Sequence, residues 1–336
     1  MPTPHHILVV GCGSIGERHL RTFLATGRAT VAGCDPNPAV RERIATTYRI
    51  PVSDNWLQAI AADATADPAL TAVVIATPAP LHLPIAIRAL ERGYHVLIEK
   101  PLALDLADAP ALLGAHARSG RFAGVAYVHR FQPAVQQARD FLLAGDFGPV
   151  RHATVVTGQN FPTFRPAYRE IYYRDRAQGG GAIQDALTHT ANLVEWLVGP
   201  AERVLCDAGH QVLVGVEVED TVAVTARHAG ALVSYALNQF QAPNVLQLDF
   251  HAARGSVRID IMAQRWGTFA LGAADWTWHV APVADRDSLY IAQAAAFLDA
   301  CEGRPTVTCS LEEGFRSIRF NLATFRAWQS GQAVTP

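Results

Sequence analysis

The chain opens on a short apolar run, Ile7–Val10, that meets Gly11-Cys12-Gly13-Ser14-Ile15-Gly16 and then a helix-like stretch, Ile15–Ala25, closed near Gly27. No other feature limits the fold as much. The G-x-G-x-x-G string is common by itself. Here it joins a predicted strand to a predicted helix, and an acid, Asp35, ends the next strand 19 residues after Gly16. Gly11 permits a tight turn, Gly13 lets a pyrophosphate approach the backbone, and Gly16 lets helix and strand pack closely. Ser14 and Ile15 open the helix, whose first N–H groups and positive dipole end suit an anion. Asp35 can accept hydrogen bonds from both adenosine ribose hydroxyls and would repel a 2′-phosphate. The loop is therefore expected to hold NAD, while Arg41 and Arg43 just downstream leave NADP open. A glycine turn in an ordinary α/β protein is the competing account, and the full context weighs against it.

Apolar runs and helix-like segments alternate through roughly the first 145 residues. Strands are expected at Thr30–Cys34, Ala72–Ala76, His95–Ile98 and Phe122–Tyr127, and helices at Pro38–Tyr48, Leu83–Arg92, Asp105–Arg118 and Gln132–Leu143. That alternation implies an α/β fold, a doubly wound Rossmann domain with a parallel sheet. After Phe147-Gly148-Pro149 the apolar period becomes two, as in RHATVVTG, DTVAVTARH and ALVSYALNQF. An α+β domain with a large, mostly antiparallel, open-faced sheet is expected there. Helices are expected at about Ala182–Val198, Asp287–Glu302 and Leu311–Ser330. The predicted domains are residues 1–147, which bind dinucleotide, and 148–336, which bind substrate and oligomerise.

Composition removes several function classes. The 336 residues are 50% hydrophobic and 17% charged, with a net charge of −2, so a disordered chain is excluded. Without a basic tract, neither nucleic acid nor an anionic membrane is an expected partner. No apolar stretch nears the ~20 residues of a membrane span. MPTPHH runs directly into ILVV, so no leader is expected. Five cysteines without a C-x-x-C pair suit a reduced, cytoplasmic protein, and no metal site is expected. Of 28 basic residues, 27 are Arg and one is Lys100. Where Arg supplies the surface charge, a lone compact amine with a tunable pKa is a candidate for chemistry.

Two constellations stand out. Thr77-Pro78, with His82 in the same loop, and Glu99-Lys100-Pro101 each follow a predicted strand at its carboxyl end, where ligands sit in such sheets. Thr77, Pro78, His82, Glu99, Lys100 and Pro101 are thus candidate cofactor contacts. Lys100 can donate to a substrate oxygen and stabilise developing negative charge, although a solvent-facing loop lysine fits the residues equally well. The second constellation is Gly179-Gly180-Gly181 and the helix after it, on which Asp185, His189 and Asn192 fall at i, i+4 and i+7 on one face. The glycines allow a close ligand approach or a sharp entry turn. A histidine at a polar–apolar margin, one turn from a carboxylate, is a candidate general base with an orienting partner. A solvated Asp–His contact is the other reading, and the residues alone favour it.

Together, GCGSIGERH, ATPAPLH, EKPLAL, the GGG…D-x-x-x-H stretch ending in WLVG, and TVTCSLEEGFRS resemble the glucose–fructose oxidoreductase / inositol dehydrogenase (Gfo/Idh/MocA) family over nearly the whole length. E-K-P after a strand combined with D-x-x-x-H on a helix is the specific part. The resemblance implies that Lys100, Asp185 and His189 form the catalytic group and that Lys100–Pro101 is a cis bond. Three positions depart from the family pattern: Leu187 where Gly is usual, Asn192 where Asp is common, and Ala79 where Asn is common. Leu187 bears on how the helix approaches the cofactor, and Asn192 on substrate preference.

The resemblance further implies hydride transfer between nicotinamide C4 and a secondary alcohol of a sugar or cyclitol. His189 would take the proton, Asp185 orient it, and Lys100 hold the oxygen. Substrate contacts are expected from the aromatic- and Arg-rich segment 159–174 (Asn160, Tyr168, Arg169), from His129 and Arg130, and from Asn192. An ordered loop is the alternative for that segment and for His129 and Arg130, and the arginines leave an acidic sugar open. Two other accounts remain: a regulator that binds NAD(H) and sugar without catalysis, and a glycosidase or epimerase that recycles its cofactor. Strands that are apolar on both alternations, such as Ala231–Phe240, predict a homodimer or homotetramer through the second sheet.

Overall fold

The computed structural model describes residues 3–62 and 67–336. Its first stretch contains β1 (His5–Val10), α1 (Ser14–Ala25), β2 (Ala29–Cys34), α2 (Pro38–Tyr48), β3 (Val52–Ser53), α3 (Trp56–Ala62), β4 (Thr71–Ile75), α4 (His82–Glu91), β5 (His95–Ile98), α5 (Ala109–Ser119) and β6 (Ala123–Val125). The six strands pair in parallel in the order β6-β5-β4-β1-β2-β3. Strand order reverses between β1 and β4, the switch point where doubly wound sheets bind ligands. Every residue of β4 and β5 is buried, as a sheet covered on both faces requires. Two expected boundaries move. The helix predicted from Asp105 starts at Ala109, with Pro110 in its first turn, where an N–H would have no helical partner. The strand predicted over Phe122–Tyr127 keeps only Ala123–Val125 before a tight turn, Val128–Phe131.

Next come α6 (Pro133–Ala144), β7 (His152–Gly158), α7 (Phe161–Phe164), α8 (Thr188–Leu197), β8 (Ala201–Gly209), β9 (Thr221–His228), β10 (Ala231–Asn238), β11 (Val245–Ala252), β12 (Gly255–Asp260), β13 (Arg265–Ala270) and β14 (Thr277–Val280). These eight strands form one sheet in the order β14-β13-β12-β11-β7-β10-β9-β8, antiparallel except where β7 lies beside β10. Burial alternates along β9 and β10. Val222, Val224, Val233 and Tyr235 share a core with Leu193 and Val194 of α8 and Val135 of α6. On the other face Leu205 and Leu232 stay 47% and 40% exposed. The helix expected over Ala182–Val198 is divided: Ile183–Leu187 is a π-helical turn, and α8 continues from it.

The chain ends with α9 (Arg286–Cys301), β15 (Cys309–Ser310) and α10 (Leu311–Ser330). β15 pairs antiparallel with β6 and becomes the seventh strand of the first sheet. Ala294, Phe297 and Leu298 of α9 join the core of Leu20 and Phe23 on α1. The compact units are accordingly Met1–Phe131 with Asp285–Phe315, and Gln132–Ala284 with Arg316–Pro336. This differs from the division expected at 147/148. That division followed a change of pattern at Gly148, but α6 already buries Ala134, Val135 and Ala138 in the core of the second sheet.

Candidate active site

In the first unit, Gly11 (φ 86°) turns the chain out of β1. A Cβ there would lie 2.6 Å from the carbonyl oxygen of Ala76, and one on Gly16 would lie 1.7 Å from that of Gly11. The protein itself therefore demands both glycines. Gly13 differs. It is the N-cap of α1, and a Cβ on it would meet nothing within 4 Å. The first intrahelical bond runs from Glu17 N–H to Gly13 O at 2.8 Å, so the N–H groups of Ser14, Ile15 and Gly16 have no helical partner. An open glycine beside unclaimed helix N–H groups fits a pyrophosphate. Asp35 accepts the N–H of Cys12 at 2.8 Å on one oxygen and that of Asn37 at 2.9 Å on the other, and each oxygen keeps a lone pair for a ribose hydroxyl. Arg41 donates to the Asp35 and Pro36 carbonyls, and Arg43 pairs with Glu17. With these arginines so engaged, the loop suits NAD better than NADP.

Thr77 and Pro78 follow β4, and the buried Thr77 Oγ1 has no hydrogen-bond partner among the described residues, an unmet group that a bound cofactor would satisfy. His82 lies between two carbonyls, its ring nitrogens 2.9 Å from those of Thr77 and Pro101, and the neutral ring donates its one N–H to one of them. Burial holds its pKa down. Its role is to tie the two loops together. Glu99 Oε1 lies 2.7 Å from His19 Nε2, while Oε2 accepts the Lys100 N–H at 3.0 Å. The Lys100–Pro101 bond is cis, and Lys100 is partly exposed. His129 is pushed down to about 4 by burial, with the Lys100 and Arg286 charges adding to the effect. Arg130, expected to touch substrate, is instead 2% exposed and ion-paired to Glu313 at 3.0 Å.

The second unit holds the other constellation. A Cβ on Gly180 would lie 2.2 Å from the Tyr173 carbonyl oxygen, and one on Gly181 would lie 2.5 Å from Glu219 Oε1. The triple glycine thus serves a close-packed entry turn. The buried Glu219 accepts the Ile183 N–H at 3.1 Å and pairs with Arg176 at 2.8 Å. Asp185, 3% exposed, follows in the π turn. Its Oδ2 accepts from Arg165 Nη1 at 3.0 Å and its Oδ1 from the Tyr172 hydroxyl at 2.6 Å. Because the turn is π-helical, the 100° count that put Asp185, His189 and Asn192 on one face does not run through Asp185. Such turns recur at functional sites. His189, in the first turn of α8, is half-buried.

Several expected substrate contacts also fasten the chain to itself. Asn192 is buried and donates to the Ser317 hydroxyl at 3.0 Å, which in turn donates to Glu195 at 3.1 Å. Asn160 caps α7 through Thr163 and donates to the Phe240 carbonyl. The Tyr168 hydroxyl and Arg169 Nε both donate to the Val214 carbonyl, at 2.7 and 2.8 Å, over a small core of Phe161, Tyr173 and Leu213. Arg165 and Tyr172 are the functional candidates that residue-by-residue reasoning missed. Nothing in the pattern separates them from neighbouring Arg and Tyr residues.

Residues 5–127 match the oxidoreductase family with an NAD-binding Rossmann fold, and residues 135–258 match the GFO/IDH/MocA C-terminal domain. The chain is 30% identical over 274 residues to a 1,5-anhydro-D-fructose reductase of Ensifer adhaerens, covering 80% of each chain. It is 29% identical over 234 residues to an inositol 2-dehydrogenase of Acidothermus cellulolyticus, covering 67% of this chain and 63% of that one. A levoglucosan dehydrogenase solved with NADH and levoglucosan has the same fold, with a TM-score of 0.87 over 99% of both chains at 21% identity. No helix among the described residues is long and apolar enough to cross a membrane. The double family match and the 30% relative settle the ancestry: this chain belongs to the GFO/IDH/MocA family of NAD-binding oxidoreductases.

Proposed function

We propose that the protein is a dehydrogenase or reductase of a sugar, sugar derivative or cyclitol, with His189 as general base, Asp185 orienting it and Lys100 holding the substrate oxygen. The observation that carries this reading is the setting of Asp185, a buried carboxylate gripped by Arg165 and Tyr172 one turn before a half-buried histidine. A carboxylate so fixed suits the orienting partner of a general base. When bound, NAD supplies or accepts the hydride at nicotinamide C4. In oxidation His189 takes the hydroxyl proton and in reduction returns it, with Asp185 stabilising the protonated imidazole. Lys100 donates to the substrate oxygen and offsets its developing charge.

Two findings favour a neutral polyol over an acidic sugar. The Ensifer and Acidothermus relatives are named for anhydrofructose and inositol. In the aromatic segment and just after it, Arg165, Arg169 and Arg176 are engaged with Asp185, the Val214 carbonyl and Glu219. Unpaired cysteines suit a reducing cytoplasm, and the open face of the second sheet suits a homodimer or homotetramer.

A screen of NAD and NADP against polyols, aldoses and uronates, followed by NADH absorbance, tests the reading. A neutral polyol is expected to reduce NAD. Lys100→Ala or His189→Ala is expected to lower turnover by about 10²–10⁴-fold while NADH still binds. Wild-type turnover in both variants, or turnover confined to uronates, would overturn it.

A further inference from the structure

Helix α1 does two things. Its N-terminus offers the N–H groups that suit a pyrophosphate. Further along, His19 turns into the protein and is 1% exposed. The His19 imidazole meets the Glu99 carboxylate at 2.7 Å, and the other oxygen of Glu99 accepts the backbone N–H of Lys100 at 3.0 Å. Tyr290 of α9 stands edge-on to the His19 ring, with centroids 5.4 Å apart. The adjacent Arg18 pairs with Asp287 of α9 at 3.0 Å and lies over the Tyr290 ring. Burial alone would raise the Glu99 pKa, but the His19 hydrogen bond and the His19 and Lys100 charges outweigh it and hold the carboxyl low. The hydroxyl of Tyr290 is pushed up to about 12, chiefly by burial, so it stays neutral. Strand pairing does not need this carboxylate, because the Glu99 N–H already donates to the Ile75 carbonyl at 2.9 Å. An ionised side chain 7% exposed is unfavourable unless paired. Here its partners are the dinucleotide helix and the peptide of the lone lysine.

We propose that His19 and Glu99 are positioning residues that transmit occupancy of the dinucleotide loop to Lys100. A phosphate on the N-terminus of α1 holds that helix, and the buried acid that meets its His19 also fixes the Lys100 peptide. Anything that draws α1 toward the anion therefore acts on Lys100 through two hydrogen bonds. A ligand shifts such an equilibrium only by its differential affinity for the two arrangements, and the anion supplies it. That the coupling matters for turnover rests on the catalytic reading of Lys100. The coupling itself does not.

The single lysine makes the test direct. Reductive ¹³C-methylation labels Lys100 and the chain's α-amine, which titrate well apart. The probe is ADP, which carries adenosine and pyrophosphate but no nicotinamide. In the wild type, saturating ADP is expected to move the titration midpoint of labelled Lys100 by at least about 0.3 pH unit. In His19→Asn, with ADP affinity within about threefold of wild type, that shift is expected to fall below about a third of its wild-type size. His19→Gln, whose longer amide can still donate to Glu99, is expected to recover part of it. A wild-type midpoint indifferent to ADP, or a His19→Asn response equal to wild type, overturns the proposal. Should His19→Asn not fold, Glu99→Gln is read by the same criteria. No turnover enters the measurement, so its failure and that of the dehydrogenase reading are told apart.

Discussion

The Tyr172 hydroxyl donates to Oδ1 of Asp185 at 2.6 Å while the tyrosine itself stays 39% exposed. One end of the side chain is wet and the other holds a buried carboxylate. Removing the hydroxyl leaves that oxygen short of a donor, a loss of about 1.5–3 kcal/mol for a hydrogen bond to a charged group. Tyr172→Phe is therefore expected to lower kcat by roughly tenfold to a hundredfold and leave the NADH Kd unchanged. Arg165→Gln is expected to act in the same direction, and the double variant to lose less than the product, since both side chains serve one carboxylate. Steady-state kinetics beside an NADH titration will check this. A Tyr172→Phe enzyme with wild-type kcat would dismiss the orienting role.

Gly13 and Gly16 should respond in opposite ways to an added methyl group. Gly13→Ala meets no neighbour, so stability should stay within about 0.5 kcal/mol of wild type. NADH affinity should nonetheless fall at least tenfold, roughly 1.4 kcal/mol, because the methyl group occupies the approach to the backbone. Gly16→Ala drives its Cβ into the Gly11 carbonyl and should cost more than about 3 kcal/mol of stability. Thermal melts with and without NADH separate the two effects.

Acid should destabilise the fold before it reaches the carboxylates. His95, His129 and His228 are each pushed down to about 4, in every case first by burial. They stay neutral in the folded protein while the unfolded chain takes up protons near 6.5. Between about pH 6.5 and 4 the unfolded state binds more protons, so stability falls with falling pH and is fully present above 6.5. Each histidine adds up to about 1.4 kcal/mol per pH unit. Urea midpoints should thus drop steeply from pH 7 to pH 5. His228→Gln, which replaces the ring between the Gly199 carbonyl and the Tyr235 hydroxyl, should flatten part of that slope, with His82 and His251 adding their own lowered pKa to the rest. Midpoints level across this range would contradict the assignment.

Leu205 and Leu232 lie on the exposed face of the eight-stranded sheet. Sedimentation at micromolar concentration is expected to show a dimer or tetramer, and Leu232→Glu to shift it toward monomer. A wild-type monomer at that concentration would remove the sheet face as an assembly surface.

Much of the first sheet is legible because its signals are local. His95–Ile98 and Pro38–Tyr48 lie where their patterns place them, one an apolar run stopped by Glu99, the other a helix with Asn37 at its cap and Pro38 in its first turn. β15 escapes notice because two residues carry no period. The π turn escapes because helical side-chain spacing does not report which ladder the backbone adopts. Asn160, Tyr168 and Arg169 bond nearby backbone, and loop polar groups that do so have the same composition as those that greet a substrate. The grip on Asp185 comes from residues 20 and 13 positions earlier, a separation that only folding can close.

The late arrival of β15 bears on how the protein is made. β6 leaves the ribosome roughly 180 residues before its final neighbour, which at about 5–20 residues per second is roughly 10–40 s of synthesis. Through that interval the nascent sheet carries a naked margin, and Phe23 waits for Phe297. A polypeptide released early, or expressed as its N-terminal portion alone, offers both to any passing strand.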